Sequence, residues 1–253
     1  MGRIKQMIAS FIPVRNAYSI SDKLELKNTF QKYYLNGYLQ NQFTDETSLN
    51  RLNTVLAELY SKEPKGDFKW EQKYKYSQDF RPNVFGYDPI FLDILFENNI
   101  PQLLKETTGF DLYLVNLQLR LATPGPSYMN WHRDTHIYGD KIVGNYPPVH
   151  KIIFYPNLGE SPRPQLYVSR GSHNRTHHNR IRDMGQIWQS QQDTIFSSDN
   201  SYLLFNTSLL HAVLSETNEK GSLRLIYSFA HKFQLDTYQG DLSDEYQERL
   251  ASM

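Results

Sequence analysis

The stretch that decides the fold of this chain is Asn130-Trp131-His132-Arg133-Asp134-Thr135-His136. Successive side chains on an extended strand point to opposite faces, so His132 and Asp134 would share one face and Arg133 would point away from them. An imidazole nitrogen and a carboxylate oxygen on one face can bind the same metal ion. A His-x-Asp pair also arises by chance, as a surface histidine beside an aspartate in a turn. A third ligand is needed to choose between these interpretations.

His211 is the candidate for that third ligand. It lies in Leu209-Leu210-His211-Ala212-Val213, an otherwise apolar strand that would carry the imidazole into the interior. A lone buried histidine is more often a hydrogen-bonded core residue than a ligand, and that alternative stays open. Two histidines and one carboxylate would make the facial triad of non-haem Fe(II) oxygenases.

A later apolar run, Gly221-Ser222-Leu223-Arg224-Leu225-Ile226-Tyr227-Ser228-Phe229, has an arginine near its middle. A buried arginine needs an anionic partner, and its planar fork suits a carboxylate. The alternative is an arginine on the solvent face of an edge strand. A dicarboxylic cosubstrate that chelates the metal at one end and pairs with Arg224 at the other would explain both features together.

The composition limits the other possible functions. The chain has 253 residues, 27 Lys+Arg against 27 Asp+Glu, and no cysteine. The balanced charge gives no general attraction for nucleic acid or an anionic membrane. The lack of cysteine excludes disulfides, thiolate metal sites and cysteine nucleophiles. The N-terminal apolar run is too short and interrupted for a convincing signal peptide. We therefore expect a cytoplasmic protein that binds a small molecule, with no nucleic-acid or membrane partner.

The first half of the chain has mainly helical patterning. Apolar spacing and capping residues predict helices over 21–36 and 45–60 and two short helices between Asp88-Pro89 and Thr108-Gly109, divided at Pro101. A short strand is predicted over 38–43. Residues 61–88 are predicted to be irregular or loosely stranded.

The second half alternates with period two. Over 112–122 the apolar residues Tyr113, Val115, Leu117, Leu119 and Leu121 would share one face, opposite Asn116, Gln118 and Arg120. Further strands are predicted over 150–156, 165–169, 202–206, 209–214 and 222–232, with a short helix near 181–190 and a surface helix or frayed end over 239–253. The sequence thus predicts one α+β domain over 1–253, mainly helical over 21–108, with a double-stranded β-helix (jelly roll) core over 110–232.

The sequence resembles the phytanoyl-CoA dioxygenase family of Fe(II)- and 2-oxoglutarate-dependent oxygenases. Its 130–134 stretch is similar to the Trp-His-x-Asp segment of that family, and His211 and Arg224 resemble the distal histidine and the cosubstrate arginine. Residues 166–173 are similar to the family's Leu-x-Val-x-Pro-Gly-Ser-His stretch, with Arg170 in place of the proline. Residues 34–39 match its helix-to-strand entry, so the resemblance covers roughly 28–232.

The resemblance implies an oxidoreductase in which Fe(II), 2-oxoglutarate and O2 react to give succinate and CO2 and to oxidise a substrate, usually by hydroxylation. His132, Asp134 and His211 would bind the iron, and Arg224 would bind the distal carboxylate of 2-oxoglutarate. The presence of Asp134 argues against the halogenating members, which lack this carboxylate.

Other polar residues are secondary candidates. The cosubstrate candidates are Gln118, Asn206 and Ser228, and the substrate candidates are Arg120, His136, Arg170 and His173. The polar face that carries Gln118 and Arg120 could equally be solvated. His136 would leave too few open positions as a fourth ligand, so we assign it to the pocket wall.

The most basic region comprises Arg163, Arg170, Arg175, Arg180 and Arg182, with His173, His177 and His178. It is either a solvated loop or a collar for an anionic substrate. Two other functions also remain open, a non-catalytic jelly-roll binding or regulatory protein and a hydroxylase of protein side chains. The substrate, and whether it is hydroxylated, desaturated, cyclised or epimerised, does not follow from the sequence.

Overall fold

The computed structural model describes residues 29–62, 64–122, 129–138, 140–145, 148–156, 165–174, 183–184, 192–195, 200–214, 222–237 and 241–252. The helices of this part are α1 (Thr29–Asn36), α2 (Glu46–Ser61), α3 (Ile90–Glu97), α4 (Ile100–Thr108) and α5 (Asp241–Ala251). The strands are β1 (Tyr38–Gln42), β2 (Lys69–Tyr74), β3 (Ser77–Arg81), β4 (Leu112–Ala122), β5 (Met129–His132), β6 (His136–Tyr138), β7 (Lys141–Val143), β8 (His150–Phe154), β9 (Gln165–Ser169), β10 (Gln192–Ile195), β11 (Ser201–Asn206), β12 (His211–Leu214) and β13 (Ser222–His231). Short 3-10 turns cover Val84–Gly86, Ser172–Asn174 and Lys232–Thr237.

Local sequence signals explain where the first helices begin and end. The Asp45 carboxylate accepts a hydrogen bond from the Ser48 backbone N–H at 2.7 Å and caps α2, whose buried stripe includes Leu52 and Leu56. Gly37 ends α1 with φ +83°, where a side chain would also overlap the ring of His173. The predictions of a helix over 45–60 and of a helix that stops at Asn36-Gly37 are confirmed. Residues 21–28 lie outside the described part.

The large sheet has the order β1-β11-β8-β13-β4-β3-β2, with antiparallel neighbours throughout. One of its faces packs against the helices in the larger of two apolar clusters, to which β8 contributes Ile152 and Phe154 and β13 contributes Leu225 and Tyr227. Helix α5 joins this cluster through the fully buried ring of Tyr246. The predicted tail helix therefore covers the core.

The small sheet has the order β10-β9-β12-β5. Leu166, Val168 and Val213 of this sheet form the second apolar cluster with Ile153 and Ile226 of the large sheet, among others. The described structure is thus layered as helices, large sheet and small sheet, with a separate β6–β7 hairpin beyond β5. None of the described helices is both long and apolar enough to cross a lipid bilayer.

Strands of the first half also belong to the large sheet, which changes the expected order of helices first and strands second. β1 forms one edge of this sheet, and the β2–β3 hairpin forms the other. Much of the segment predicted to be irregular or loosely stranded, 61–88, is this hairpin. The hairpin belongs to the sheet because β3 pairs with β4, and these two segments are far apart in the sequence.

The predicted alternation of β4 is wrong at its start. Asn116 pairs with Ser228 but Leu114 pairs with Phe229, so Val115 is the extra residue of a β-bulge. The bulge shifts the pleat by one residue, and Leu114 is therefore buried in the larger cluster together with Leu117. Of the helix predicted near 181–190, only 183–184 lie within the described residues.

Candidate metal centre

Two histidines meet where β5 and β12 pair. His132 is the last residue of β5, His211 is the first residue of β12, and the two are direct partners in the antiparallel register. Their ring centroids are 4.2 Å apart. Directly opposed residues of an antiparallel pair project from the same face, so the pairing alone brings both imidazoles together.

Asp134 completes the cluster from a bend after β5, not from the strand itself as predicted. The backbone N–H groups of Asp134 and Thr135 both donate to the Thr207 carbonyl at 3.0 Å, which turns the chain at this point. The Asp134 carboxylate then lies 3.5 Å (Oδ1) from Nε2 of His132 and 3.9 Å (Oδ2) from Nε2 of His211. One ligand atom from each residue lies within 4.8 Å of the others.

The hydrogen bonds of the two imidazoles leave the correct nitrogen for a metal. Nδ1 of His132 lies 2.7 Å from the Asn130 carbonyl, and Nδ1 of His211 lies 2.8 Å from the Leu209 carbonyl. A carbonyl only accepts, so each Nδ1 carries the proton and each Nε2 has a lone pair. Nε2 of His132 is buried and makes no hydrogen bond. This arrangement fits a metal ion.

The electrostatics of Asp134 and His211 favour their ligand forms, an ionised carboxylate and a neutral imidazole. Burial raises the pKa of the Asp134 carboxyl, but the neighbouring His132, Lys151 and His211 together outweigh that effect and hold the pKa well below its usual range. Burial lowers the pKa of His211 to about 4, so this imidazole is neutral at physiological pH. Burial is the largest single effect on His132 and lowers its pKa, but the carboxylate of Asp134 and the Asn130 carbonyl together raise that pKa above its ordinary value, so a metal ion would displace a proton from this imidazole.

Lys151 is a residue of the centre that the sequence analysis missed. It lies on β8, and its Nζ donates to Oδ2 of Asp134 at 2.9 Å. A signal was present, because lysine interrupts the apolar strand His150–Phe154. That signal is ambiguous, since a lysine facing solvent would give the same pattern.

A cavity of about 230 Å³ adjoins the centre. Its wall includes the metal candidates Asp134 and His211, the predicted cosubstrate residues Arg224 and Gln118, Arg120 and Lys151, with apolar surface from Met129, Ile153, Leu166, Phe205, Val213 and Ile226 and with Lys73 and Tyr74 at the end of β2. Pockets for drug-sized ligands are larger, about 300–1,000 Å³. The cavity therefore suits a small ligand that carries negative charge.

Arg224 and Lys151 mark two ends of this cavity floor. Lys151 is the direct register partner of Ser228. Arg224 lies four residues from Ser228 along β13, so the Cα atoms of these two residues are roughly 13 Å apart at about 3.3 Å per residue. Between these positions Ile226 pairs with Ile153. The floor thus has a cation at each end and aliphatic side chains between them.

Arg224 is 2% exposed and faces another arginine across the sheet, because it is the register partner of Arg120. Arg120 is itself held by Asp79, with distances of 2.6 Å and 3.1 Å from its Nε and Nη2 to the two carboxylate oxygens. Burial, with the charge of Arg120, lowers the pKa of Arg224 to about 9. Arg224 is still a cation at neutral pH, and an anion in the cavity would offset both effects.

The remaining predicted residues lie elsewhere among the described residues. Asn206 accepts a hydrogen bond from the Ser208 backbone at 2.9 Å, and His173 lies 2.9 Å (Nε2) from the Tyr34 carbonyl. Ser228 is buried beside Lys151. His136, on β6, and Arg170, after β9, are not part of the cavity wall as described. Of the proposed basic collar, only Arg170 and His173 fall within the described residues.

Arg133, between the two ligands of the motif, points away from them into the protein, as predicted. Its guanidinium pairs with Asp183 at 2.8 Å (Nη2 to Oδ1) and donates to the carbonyls of Ser172, at 2.7 Å, and Ser208. The side chain is 1% exposed. Arg133 therefore ties the metal motif to the segments that follow β9 and precede β12.

No protein-family model matches the sequence, and no curated protein matches it. Solved structures share its fold. HygX from Streptomyces hygroscopicus, crystallised with nickel, 2-oxoglutarate and hygromycin B, has a TM-score of 0.58 and 13% identity over 85% of this chain and 96% of HygX. SnoK, a non-haem alpha-ketoglutarate-dependent carbocyclase from nogalamycin biosynthesis, has a TM-score of 0.59 and 13% identity over 83% of this chain and 85% of SnoK.

A third structure, AviO1 from Streptomyces viridochromogenes Tue57, has a TM-score of 0.56 and 14% identity over 83% of this chain and 97% of AviO1. At such identities the likeness establishes the fold alone. The expected mixed fold of helices and antiparallel sheets is therefore confirmed and is shared with these structures, whereas the jelly-roll core and membership of the phytanoyl-CoA dioxygenase family stay predictions.

Proposed function

We propose that this protein is an Fe(II)- and 2-oxoglutarate-dependent dioxygenase that oxidises a small organic substrate. One observation carries the proposal: two histidines with unprotonated Nε2 atoms and one carboxylate converge beside a cavity whose floor holds a buried arginine. A metal site and a carboxylate site in one cavity are what a chelating dicarboxylic cosubstrate requires.

In this proposal His132, Asp134 and His211 would hold the iron, and three protein ligands would leave room for the cosubstrate and O2. The bound metal and cosubstrate supply the activation of O2, with release of succinate and CO2. The protein supplies position and charge. Nδ1 hydrogen bonds fix both imidazole rings, and burial keeps His211 neutral.

Arg224 is the proposed partner of the distal carboxylate of 2-oxoglutarate. It is buried and charged, and its fork can bind both oxygens of a carboxylate. Ile153 and Ile226 would pack against the methylene groups between the two ends. Arg120 is engaged by Asp79, so we assign it to the cavity wall in place of substrate binding.

The fold supports this function without establishing it. We propose that the two sheets form the double-stranded β-helix of a single domain, of the type found in phytanoyl-CoA dioxygenases. HygX was crystallised with nickel and 2-oxoglutarate, and SnoK is described as alpha-ketoglutarate-dependent. The excess of cations around the cavity favours an anionic substrate.

Anaerobic spectroscopy tests the proposal. The purified protein with Fe(II) and 2-oxoglutarate should show the weak visible charge-transfer band of the chelate, and His132→Ala should abolish it. Arg224→Met should still bind Fe(II) but should need about 100-fold more 2-oxoglutarate for the same band, because a charge-assisted bidentate contact is worth about 1.5–3 kcal/mol or more when buried.

Absence of the band in well-folded protein would refute the function. A band without any conversion of 2-oxoglutarate to succinate in air, with or without trial substrates, would instead favour a non-catalytic binding protein. His136→Ala is a matched histidine control, because His136 follows the motif but lies outside the cavity wall as described.

A further inference from the structure

The ammonium group of Lys151 contacts Asp134, a carboxylate that would need no second cation beside it once it binds a metal ion. Its Nζ lies 2.9 Å from Oδ2 of Asp134, the same oxygen that lies 3.9 Å from Nε2 of His211. A divalent ion bound by Asp134 and His211 would share that carboxylate with an ammonium group of like charge. Like charges at such distances repel each other, so Lys151 and the metal compete for Asp134.

The direction of Lys151 is set by the sheet and not by chance. Its register partners are Phe205 on β11 and Ser228 on β13, and the next residue on the same face, Ile153, lies on the cavity wall. The side chain is 25% exposed, which leaves the ammonium free to move within the cavity. The backbone of Lys151 therefore keeps this side chain on the cavity face, whereas its ammonium group can change its partner when a metal enters.

The described wall of the cavity offers few alternative partners. Asp134 is its only acidic residue among the described residues, and the remaining charged side chains there are cations. When a metal takes up the carboxylate of Asp134, this wall offers Lys151 no second acidic side chain, and an anionic ligand in the cavity would restore the charge balance. Since Arg224 lies at the far end of the floor, the ligand group next to Lys151 is the one on the metal side.

We propose that Lys151 is an exchangeable partner, which holds Asp134 while no metal is bound and turns to the metal-side carboxylate of 2-oxoglutarate when metal and cosubstrate are bound. This inference rests on the proposed function. This exchange would make the binding of metal and 2-oxoglutarate cooperative beyond their direct chelation. The metal releases Lys151 from Asp134 for the cosubstrate carboxylate, and that carboxylate offsets the repulsion between Lys151 and the metal. Lys151 is in this sense a positioning residue.

Titration of the full chain with Mn(II) tests this role. The EPR signal of free Mn(II) monitors binding, with and without saturating 2-oxoglutarate. Without 2-oxoglutarate, Lys151→Met should bind Mn(II) at least about fivefold more tightly than the unmodified protein, because the competing charge is gone. The factor by which 2-oxoglutarate tightens Mn(II) binding should fall at least about fivefold in the same variant. Lys151→Arg should keep most of the coupling.

Lys105→Met is the matched control, since it removes an exposed lysine that pairs with Asp111 at 3.0 Å far from the cavity. It should leave both Mn(II) constants unchanged. Lys151→Gln gives a second neutral variant should Lys151→Met prove unstable, and circular dichroism checks the fold of each.

The outcomes separate this inference from the proposed function. If 2-oxoglutarate tightens Mn(II) binding equally in the unmodified protein and in both neutral variants, the role of Lys151 is wrong and the proposed function stands. Weaker or unchanged Mn(II) binding by the neutral variants in the absence of 2-oxoglutarate would also overturn the role. If 2-oxoglutarate does not affect Mn(II) binding even in the unmodified protein, the proposed function fails, and the inference fails with it.

Discussion

Single residues set the geometry of the candidate centre in two ways. Both histidines are oriented locally, because each Nδ1–H donates to the carbonyl two residues earlier in the chain, at Asn130 and Leu209. Their orientation therefore depends on how β5 ends and β12 begins. Asp134 depends on distant residues instead, through the Thr207 carbonyl and Lys151. The carboxylate is consequently the ligand whose position responds most to what else is bound in the cavity.

Outside the metal centre, His150 predicts how stability depends on pH. Burial, followed by the charges of His231 and His173, lowers the pKa of His150 to about 3, and Tyr33 is hydrogen-bonded to it at 2.6 Å. The unfolded chain binds this proton near pH 6.5. The stability that neutral His150 provides is thus complete above about pH 6.5 and is lost as pH falls towards 3.

We expect His150 to account for a loss in the free energy of unfolding on the order of 3 kcal/mol between pH 7 and pH 4. Urea denaturation at both pH values should show a pH dependence smaller by that amount in His150→Gln. Tyr33→Phe, which removes the hydrogen bond but keeps the imidazole, should retain most of the dependence, because burial is the largest cause of the lowered pKa. Equal pH dependence in His150→Gln and the unmodified protein would contradict this assignment.

The sequence is sufficient to identify site residues that are unusual for their surroundings. A histidine or an arginine within an apolar strand, as at His211 and Arg224, is unusual enough to indicate a site. The role of Lys151 could not be predicted, because the sequence of β8 does not show which face of the large sheet the small sheet covers. Lys151 lies in the cavity only because its side chain is on that face. Arg120 was placed on the correct polar face, but its partner Asp79 lies in a segment that gave no clear strand pattern.

At the scale of secondary-structure elements, the buried pair of Arg133 and Asp183 joins segments that come together only in the folded chain. Arg133 follows β5, Ser172 follows β9, Ser208 precedes β12, and Asp183 lies in the long connection before β10. The guanidinium thereby holds the turn that carries Asp134 against the turn that leads to His211. Its buried hydrogen bonds fix the distance between the two ligand-bearing segments.

Asp183→Asn should therefore weaken both the fold and metal binding. Leaving a buried arginine without its carboxylate costs about 3–5 kcal/mol, seen as a lower urea midpoint, and Mn(II) affinity should fall about tenfold as the ligand segments loosen. Glu245→Gln, which breaks a partly exposed pair with Arg249 on α5, should cost about 1 kcal/mol or less and leave Mn(II) affinity unchanged. Unaltered Mn(II) affinity in folded Asp183→Asn would rule out this positioning role.

The elements were predicted best where the signal is local. Capping by Asp45 and the apolar stripe of α2 marked that helix to within a residue or two. The bulge at Val115 was missed because a bulge depends on the partner strand, here β13, and leaves no mark in the sequence of β4 alone. The same reason applies to β2, whose side chains are mostly exposed, and to β3, whose polar residues Ser77 and Asp79 are buried only because β3 pairs with β2 and β4.

On the scale of the whole molecule, the centre joins the two sheets. His132 and His211 come from strands of the small sheet, whereas Lys151 and Arg224 come from the large sheet. The apolar contact between the sheets, with residues such as Leu166 and Ile153, continues up to the cavity wall. A ligand that binds at both ends of the cavity would therefore link the sheets to each other.

Metal and cosubstrate together should for this reason raise the melting temperature more than either does alone. A ligand present at 100 times its dissociation constant stabilises the folded state by about 2.7 kcal/mol, which for a domain of this size corresponds to roughly 5–10 °C. Differential scanning fluorimetry with Mn(II), with 2-oxoglutarate, and with both should give the largest shift for the pair. His211→Ala should lose the shift from Mn(II), and Arg224→Met should lose only the additional shift from 2-oxoglutarate. Equal shifts in all three proteins would mean that the ligands bind elsewhere, because only a site between the sheets makes both residues necessary for the full effect.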